Sequence, residues 1–212
     1  MRTTITIARQ LGSGGSYVGQ LIASRLGLKY VDREVLHLAA QEFRCDEKEI
    51  ASRAERISSF WEKIFHGLMM GPPEMKYVPP PLRAITDQQL FDKQTDILKK
   101  IAKNNDCVIV GWGGAHVLPH HQCMFNIFCH APVDFRSKRV TEIYNAQDEK
   151  QAKEMIRESD EMRKRYIAGM TGKDWTSVEN YHLSIDTSLF PLSDIAELII
   201  QLLEHKGLTS KS

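Results

Sequence analysis

The chain has 212 residues, 42% of them hydrophobic and 26% charged, with a formal net charge of +1. That length and apolar content suit one core-forming domain with room for a small insert. The near-neutral charge argues against a general nucleic-acid binder, and no apolar run approaches the ~20 residues needed to span a bilayer. The first residues enter a strand-like run directly, without the apolar stretch and small-residue cleavage site of a secretory leader. Cys45, Cys107, Cys123 and Cys129 form no Cys-x-x-Cys pair. They read as reduced thiols, and the expected setting is the cytoplasm.

In chain order, β-branched and apolar runs predict strands over residues 3–8, 29–31, 107–110, 125–129 and 183–186. Helical periodicity lies between them. Val18, Leu21, Ile22 and Leu26 share one face of a first helix, with Gly27 as its stop. Leu90, Phe91, Ile97, Leu98 and Ile101 mark a second. Ile195, Leu198, Ile199, Leu202 and Leu203 mark a last helix over 192–206. Strands apolar on both faces and alternating with helices predict an α/β fold, a parallel sheet covered by helices on both sides.

Two segments break this rhythm. Residues 43–83 contain Gly71-Pro72-Pro73 and Pro79-Pro80-Pro81, which neither a helix interior nor a central strand accepts, so they read as an insert. Residues 148–175 are dense in charge, with a thin stripe of Met155, Ile156, Met162 and Tyr166, and read as a largely exposed helix.

The most informative stretch is Ile5-Thr6-Ile7-Ala8-Arg9-Gln10-Leu11-Gly12-Ser13-Gly14-Gly15-Ser16-Tyr17-Val18-Gly19. A strand ends, a Gly/Ser turn follows and an amphipathic helix begins. Such a turn lets successive backbone N–H groups face inward, and the helix N-terminus adds partial positive charge. Gly12, Ser13, Gly14, Gly15, Ser16 and Tyr17 are therefore candidates to cradle phosphates, with Ser16 as the hydroxyl for a metal ion. Against the P-loop pattern GxxxxGK[ST], Arg9 stands at the first glycine position and Gly15 at the lysine position. A glycine turn serving only to join strand and helix is the plainer alternative.

Further pieces follow in register: Leu28-Lys29-Tyr30-Val31-Asp32-Arg33-Glu34, Val108-Ile109-Val110-Gly111-Trp112-Gly113-Gly114, Cys129-His130-Ala131-Pro132-Val133-Asp134-Phe135-Arg136-Ser137-Lys138-Arg139, Asp160-Glu161-Met162-Arg163-Lys164-Arg165 and Tyr181-His182-Leu183-Ser184-Ile185-Asp186-Thr187. In this order and spacing the chain resembles the cytidylate kinase-like family over nearly its whole length. The resemblance implies a three-layer P-loop NTPase fold with a five-stranded parallel sheet, helices on both faces, a helical acceptor-binding insert over 32–83 and a helical lid over 132–175, all in one domain. It implies an enzyme that uses ATP and Mg²⁺ to phosphorylate CMP, dCMP or a similar small nucleotide, with neither nucleic acid nor membrane as partner. The family's glycine turn is often GSGG without the lysine, which leaves open the cation for the donor phosphates. Trp112 stands where the family commonly has arginine.

Phosphoryl transfer needs positioned donor and acceptor and cations around the moving charge. Arg163, Arg165 and Arg139 are the candidate catalytic cations, although charge runs of this kind also form solvated faces paired at i,i+4. Arg136, which shares a helix face with Arg139, joins Asp32, Arg33 and Trp112 as a candidate for the acceptor. Surface pairing of the arginines and an N-cap role for Asp32 stay open. Asp186 and Thr187 are placed by analogy at an adenine pocket. His116, His120, His121 and Cys123 lack zinc-site spacing. Two other functions remain open: a nucleotide-binding regulator without catalysis, and a kinase for another small metabolite. The sequence sets no oligomeric state.

Overall fold

The computed structural model describes residues 2–32, 88–144 and 146–209. Its centre is a sheet of five parallel strands: β1 (Thr4–Arg9), β2 (Lys29–Val31), β3 (Cys107–Val110), β4 (Met124–His130) and β5 (Leu183–Asp186), in the order β2-β3-β1-β4-β5. Central β1 pairs Thr4 with Cys107 on one side and with Met124 on the other. β1 runs past its expected end because its ladder with β4 continues to Arg9 opposite Cys129, and β4 reaches His130 through its ladder with β5 at Asp186.

Each strand sends alternate side chains to opposite faces. Ile5, Ile7, Val108, Val110 and Ile127 meet Val18 and Ile22 of α1 (Gly15–Leu26) and the apolar side of the last helix. Cys107, Ile109 and Met124 go the other way and meet Ile97, Leu98 and Ile101 of α2 (Gln88–Asn104). The short α3 (Gly114–Val117) follows β3, then α4 (Val133–Tyr144) follows β4. Next come α5 (Glu149–Thr171) and, after β5, α6 (Leu192–His205), which carries Ile195, Ile199 and Leu203 into the core. Left-handed glycines end two of these helices, Gly27 at φ 63° after α1 and Gly172 at φ 68° after α5. There the absence of a Cβ removes the steric penalty.

The charged helix has an exposed outer face, and of its expected inner stripe only Ile156 is fully buried. Ala152, Ile156, Ser159 and Ile167 are buried, whereas Met155, Met162 and Tyr166 are half-buried. Ala152 and Ile156 pack with Leu11 and Val140, so α5 is docked on α4 and on the glycine turn. Ile167 packs with Phe128 and Trp175 at the other end. Asp148 caps the helix by accepting from the Gln151 N–H. The insert expected over 32–83 lies, apart from Asp32, outside the described residues. No helix among them is long and apolar enough to cross a membrane.

Candidate active site

Parallel strands deliver their C-terminal ends to one edge, where ligands bind in open α/β sheets. Here that edge collects Arg9 at the end of β1, Asp32 after β2, Gly111 after β3 and Ala131 after β4.

The glycine turn is held in shape by its own backbone and neighbours. The Gln10 N–H donates to Cys129 O at 3.0 Å, and Gln10 Oε1 accepts from the Ala131 N–H at 3.2 Å. Both the N–H and the hydroxyl of Ser13 donate to Gln10 O, at 3.3 and 2.9 Å, so this candidate side chain closes the turn. Gly12 has φ 81° and Gly14 has φ 79°. A Cβ at Gly12 would come within 2.8 Å of Arg136 O, and one at Gly14 within 2.5 Å of Leu192 Cδ1. Gly14 caps α1 with no side-chain hydrogen bond, and the first turn holds no acidic residue. The N-terminus of α1 thus keeps its positive character for an anion. Tyr17 is half-buried in that turn.

Arg9 crosses this edge. Its Nε donates to Ser16 Oγ at 3.3 Å, and its Nη2 lies 3.5 Å from Asp32 Oδ1. The Tyr30 hydroxyl donates to Asp32 Oδ2 at 3.3 Å and lies 3.4 Å from Ser16 O. Burial first, and Asp32 beside it second, raises this phenol well above its ordinary value, so it stays a donor at neutral pH. Burial likewise pushes the Cys129 thiol, beneath Gly15, up to about 12. Three consecutive left-handed residues follow β3: Gly111, Trp112 and Gly113, at φ 81°, 57° and 66°. A bulky residue with positive φ is uncommon. Here the Trp112 indole N–H donates to Asp32 O, and the ring packs beside Val31 and Ile109.

Behind the turn stand α4 and α5. Arg136 is buried, donating from Nε to Ala131 O at 2.8 Å and from Nη1 to Leu11 O at 3.2 Å and Asp160 Oδ2 at 2.6 Å. Asp160 Oδ1 accepts from the Leu11 N–H at 3.2 Å and from Arg163 Nη1 at 3.4 Å, while Arg163 also donates to Ser159 Oγ at 2.7 Å. Arg163 is thereby drawn to the side of the glycine turn. Arg165, two residues on, is exposed on a different face of α5, and Arg139 is half-buried on α4. Arg33 lies outside the described residues. Thr187 is buried and donates its hydroxyl to His130 O at 3.0 Å, and Asp186 accepts from Ser188. His116 contacts the Tyr181 hydroxyl at 3.2 Å, and no cluster among the described residues could hold a metal through three or more His, Cys, Asp or Glu.

The turn has the make-up of an anion cradle: α1 presents an uncapped N-terminus, and Gly12 and Gly14 let the backbone pass so close to Arg136 and Leu192 that a Cβ would collide with them. Ser16 Oγ and the Asp32 carboxylate are oxygen donors of the hardness Mg²⁺ prefers alongside phosphate oxygens. Two residues of this site were not legible as such. Arg9 reads in sequence as a departure from a glycine position, although its place as the last residue of β1 aims it at the turn. Asp160 reads as one charge among many, its only signal being the Asp-x-x-Arg spacing to Arg163.

A parallel sheet of this order, with a glycine turn between its central strand and α1, defines a P-loop kinase fold of the α/β class. The chain belongs to the cytidylate kinase-like family, whose model matches residues 4–189. A protein described as cytidylate kinase from Sulfolobus acidocaldarius is 24% identical over 97% of each chain. An uncharacterized protein from Eubacterium ventriosum superposes with a TM-score of 0.67 at 20% identity, covering 96% of this chain and 99% of that one. A gluconokinase from Sinorhizobium meliloti gives 0.53 at 15% identity, covering 97% of each chain. A shikimate kinase from Acinetobacter baumannii gives 0.51 at 15%, covering 99% of this chain and 97% of its own. The structural likenesses establish the fold, and the family match makes the chain a kinase-like phosphotransferase.

Proposed function

We propose that this protein is an ATP- and Mg²⁺-dependent nucleoside monophosphate kinase with CMP or dCMP as acceptor. The observation that carries this reading is the convergence, on one sheet edge, of the glycine turn, the Arg9–Asp32 pair and the Arg163 side of α5. Bound ATP would supply the transferable γ-phosphoryl group. The backbone of the turn from Gly12 through Tyr17 would hold its phosphates, and Ser16 with Asp32 would hold the metal ion. Arg163 would stabilise the moving charge, assisted by Arg139 and Arg165 if α5 and its neighbours shift on closure. Asp32, Arg33 and the segment following them would receive the acceptor. Arg136, engaged with Leu11 and Asp160, would set the shape of the turn. A cytoplasmic setting agrees with the three free cysteines among the described residues, two of them buried.

ADP release from ATP-Mg²⁺ in the presence of CMP, dCMP, UMP, AMP or GMP tests this reading. CMP or dCMP should stimulate turnover, and Arg163→Ala should lower kcat by about 1,000-fold, as loss of a charge-stabilising arginine does elsewhere. If no monophosphate stimulates turnover and ATP-Mg²⁺ leaves the melting temperature unchanged, the reading fails.

One observation favours a different acceptor. The Trp112 indole, anchored to Asp32 O, fills a place where a phosphate-binding arginine would offer a bidentate contact. A small hydroxylated metabolite needs no such contact, and a metabolite screen that returned only nucleoside monophosphates would end this second reading.

A further inference from the structure

The chain departs from the P-loop pattern twice, with arginine at the first position and glycine at the lysine position, and the two departures touch. A Cβ on Gly15 would lie 2.7 Å from the Cβ of Arg9 and 2.9 Å from that of Cys129. Real Cβ atoms do not approach so closely, so a side chain at 15 is excluded while one is present at 9. Across the edge, a Cβ on Gly111 would lie 2.0 Å from Arg9 Nη1. The guanidinium therefore runs over a glycine backbone that leaves it room.

We infer that Arg9 is the donor-phosphate cation of this site, a guanidinium from the end of β1 replacing the lysine that Gly15 cannot carry. This rests on the kinase reading above and gives a role to Arg9, to which that reading assigns none. Three features support it. Arg9 is only 9% exposed, yet its Nε already sits at Ser16 Oγ, the hydroxyl at the head of the phosphate cradle. Its contacts to Ser16 and Asp32, at 3.3 and 3.5 Å, are longer than the ~2.7–2.9 Å of settled charge-assisted hydrogen bonds. A guanidinium also offers paired N–H donors in a plane that matches two phosphate oxygens, where a lysine would offer a point charge. The same arginine connects the donor side, at Ser16, to the acceptor side, at Asp32. Donor binding that draws Arg9 from Asp32 frees that carboxylate for the acceptor or the metal ion.

The test measures binding of ATP and of adenosine by calorimetry, and turnover, for the wild type, Arg9→Gln and Arg9→Lys, with melting curves as the folding control. Arg9→Gln should bind ATP about 10–100-fold more weakly, the effect of losing contacts to a charged group, while Arg9→Lys should keep more of the affinity. A second readout uses the wild type itself. The Arg9 Nε–H signal in a ¹⁵N-edited spectrum, assigned by its absence from Arg9→Lys, should shift with ATP and stay put with adenosine. A folded Arg9→Gln with wild-type ATP affinity, or an Arg9 signal unmoved at saturating ATP, overturns the inference. A wild type that binds no ATP overturns the kinase reading instead, and does so before any variant is made.

Discussion

The Asp160 carboxylate accepts from Arg136 at 2.6 Å through one oxygen and from the Leu11 N–H at 3.2 Å through the other. One side chain of a helix that looks like a solvated charge run therefore grips both α4 and the glycine turn. The pair is largely out of water, with side chains 5% and 18% exposed for Arg136 and Asp160. Its loss thus strands a charge instead of releasing it to solvent. Asp160→Asn should cost about 3 kcal/mol of unfolding free energy, the low end for breaking a buried pair by removing one partner. It should also raise the KM for ATP, because Leu11 loses its anchor. Urea unfolding and donor kinetics check both, and an unchanged stability would mean that Arg136 is held by the carbonyls of Ala131 and Leu11 alone.

Gly111→Ala probes the ground on which Arg9 lies. The substitution asks an alanine to adopt φ 81° and sets its methyl against Arg9 Nη1. The backbone penalty is about 1–2 kcal/mol, and displacement of the guanidinium adds a functional loss. Donor binding should therefore weaken about as much as in Arg9→Gln, in a protein still able to fold. Normal ATP affinity in this variant would show that the guanidinium can move aside without consequence.

Trp112→Arg separates the two acceptor readings. If the acceptor carries a phosphate, the new guanidinium beside Asp32 should lower the KM for CMP by about tenfold, the worth of one charged hydrogen-bonded contact. The melting temperature should fall, since the ring leaves its packing beside Val31 and Ile109. An unchanged KM across all monophosphates would place the acceptor phosphate elsewhere.

His116 sets a pH dependence of stability. Burial, and secondarily the charge of Lys173, lowers its imidazole from 6.5 to about 4. The unfolded chain takes up a proton near 6.5 and the folded one only near 4. Its contribution to stability is thus whole above the first value and is lost as pH falls between the two. The loss amounts to about 2 kcal/mol by about pH 5. Unfolding curves of the wild type and His116→Asn, recorded from neutral to acid, should converge as pH drops. His182, lowered mainly by burial, titrates in both proteins and leaves the comparison intact. Parallel curves would show that another group carries the acid sensitivity.

Much of this molecule was legible along the chain because its signals are local. The five strands and the helices between them follow from runs such as Val108-Ile109-Val110 and from apolar spacing such as Ile195, Ile199 and Leu203, which depend only on backbone period and burial. The glycine turn announced itself the same way, since Gly12 and Gly14 mark backbone conformations that other residues avoid. The inner stripe of α5 was less legible. Met162 and Tyr166 have the right spacing and hydrophobicity yet are only half-buried, whereas the small Ala152 and Ser159 are buried alongside Ile156 and Ile167. Close approach of α4 and the turn selects small side chains there, and spacing alone carries no record of how near a neighbour comes.

The order of residues by itself therefore determined a parallel α/β sheet with a glycine turn after its first strand and a family to which the chain belongs. Tertiary structure alone decided which charges meet that turn. Leu11 and Asp160 stand 149 positions apart, and Trp112 reaches Asp32 across 80. Whether a charge in a polar run meets solvent or a loop is settled by packing between distant elements. Arg9 is the sharpest case: in sequence it breaks a motif, and only the collision its Cβ would have with a side chain at 15 shows that both departures occupy one space.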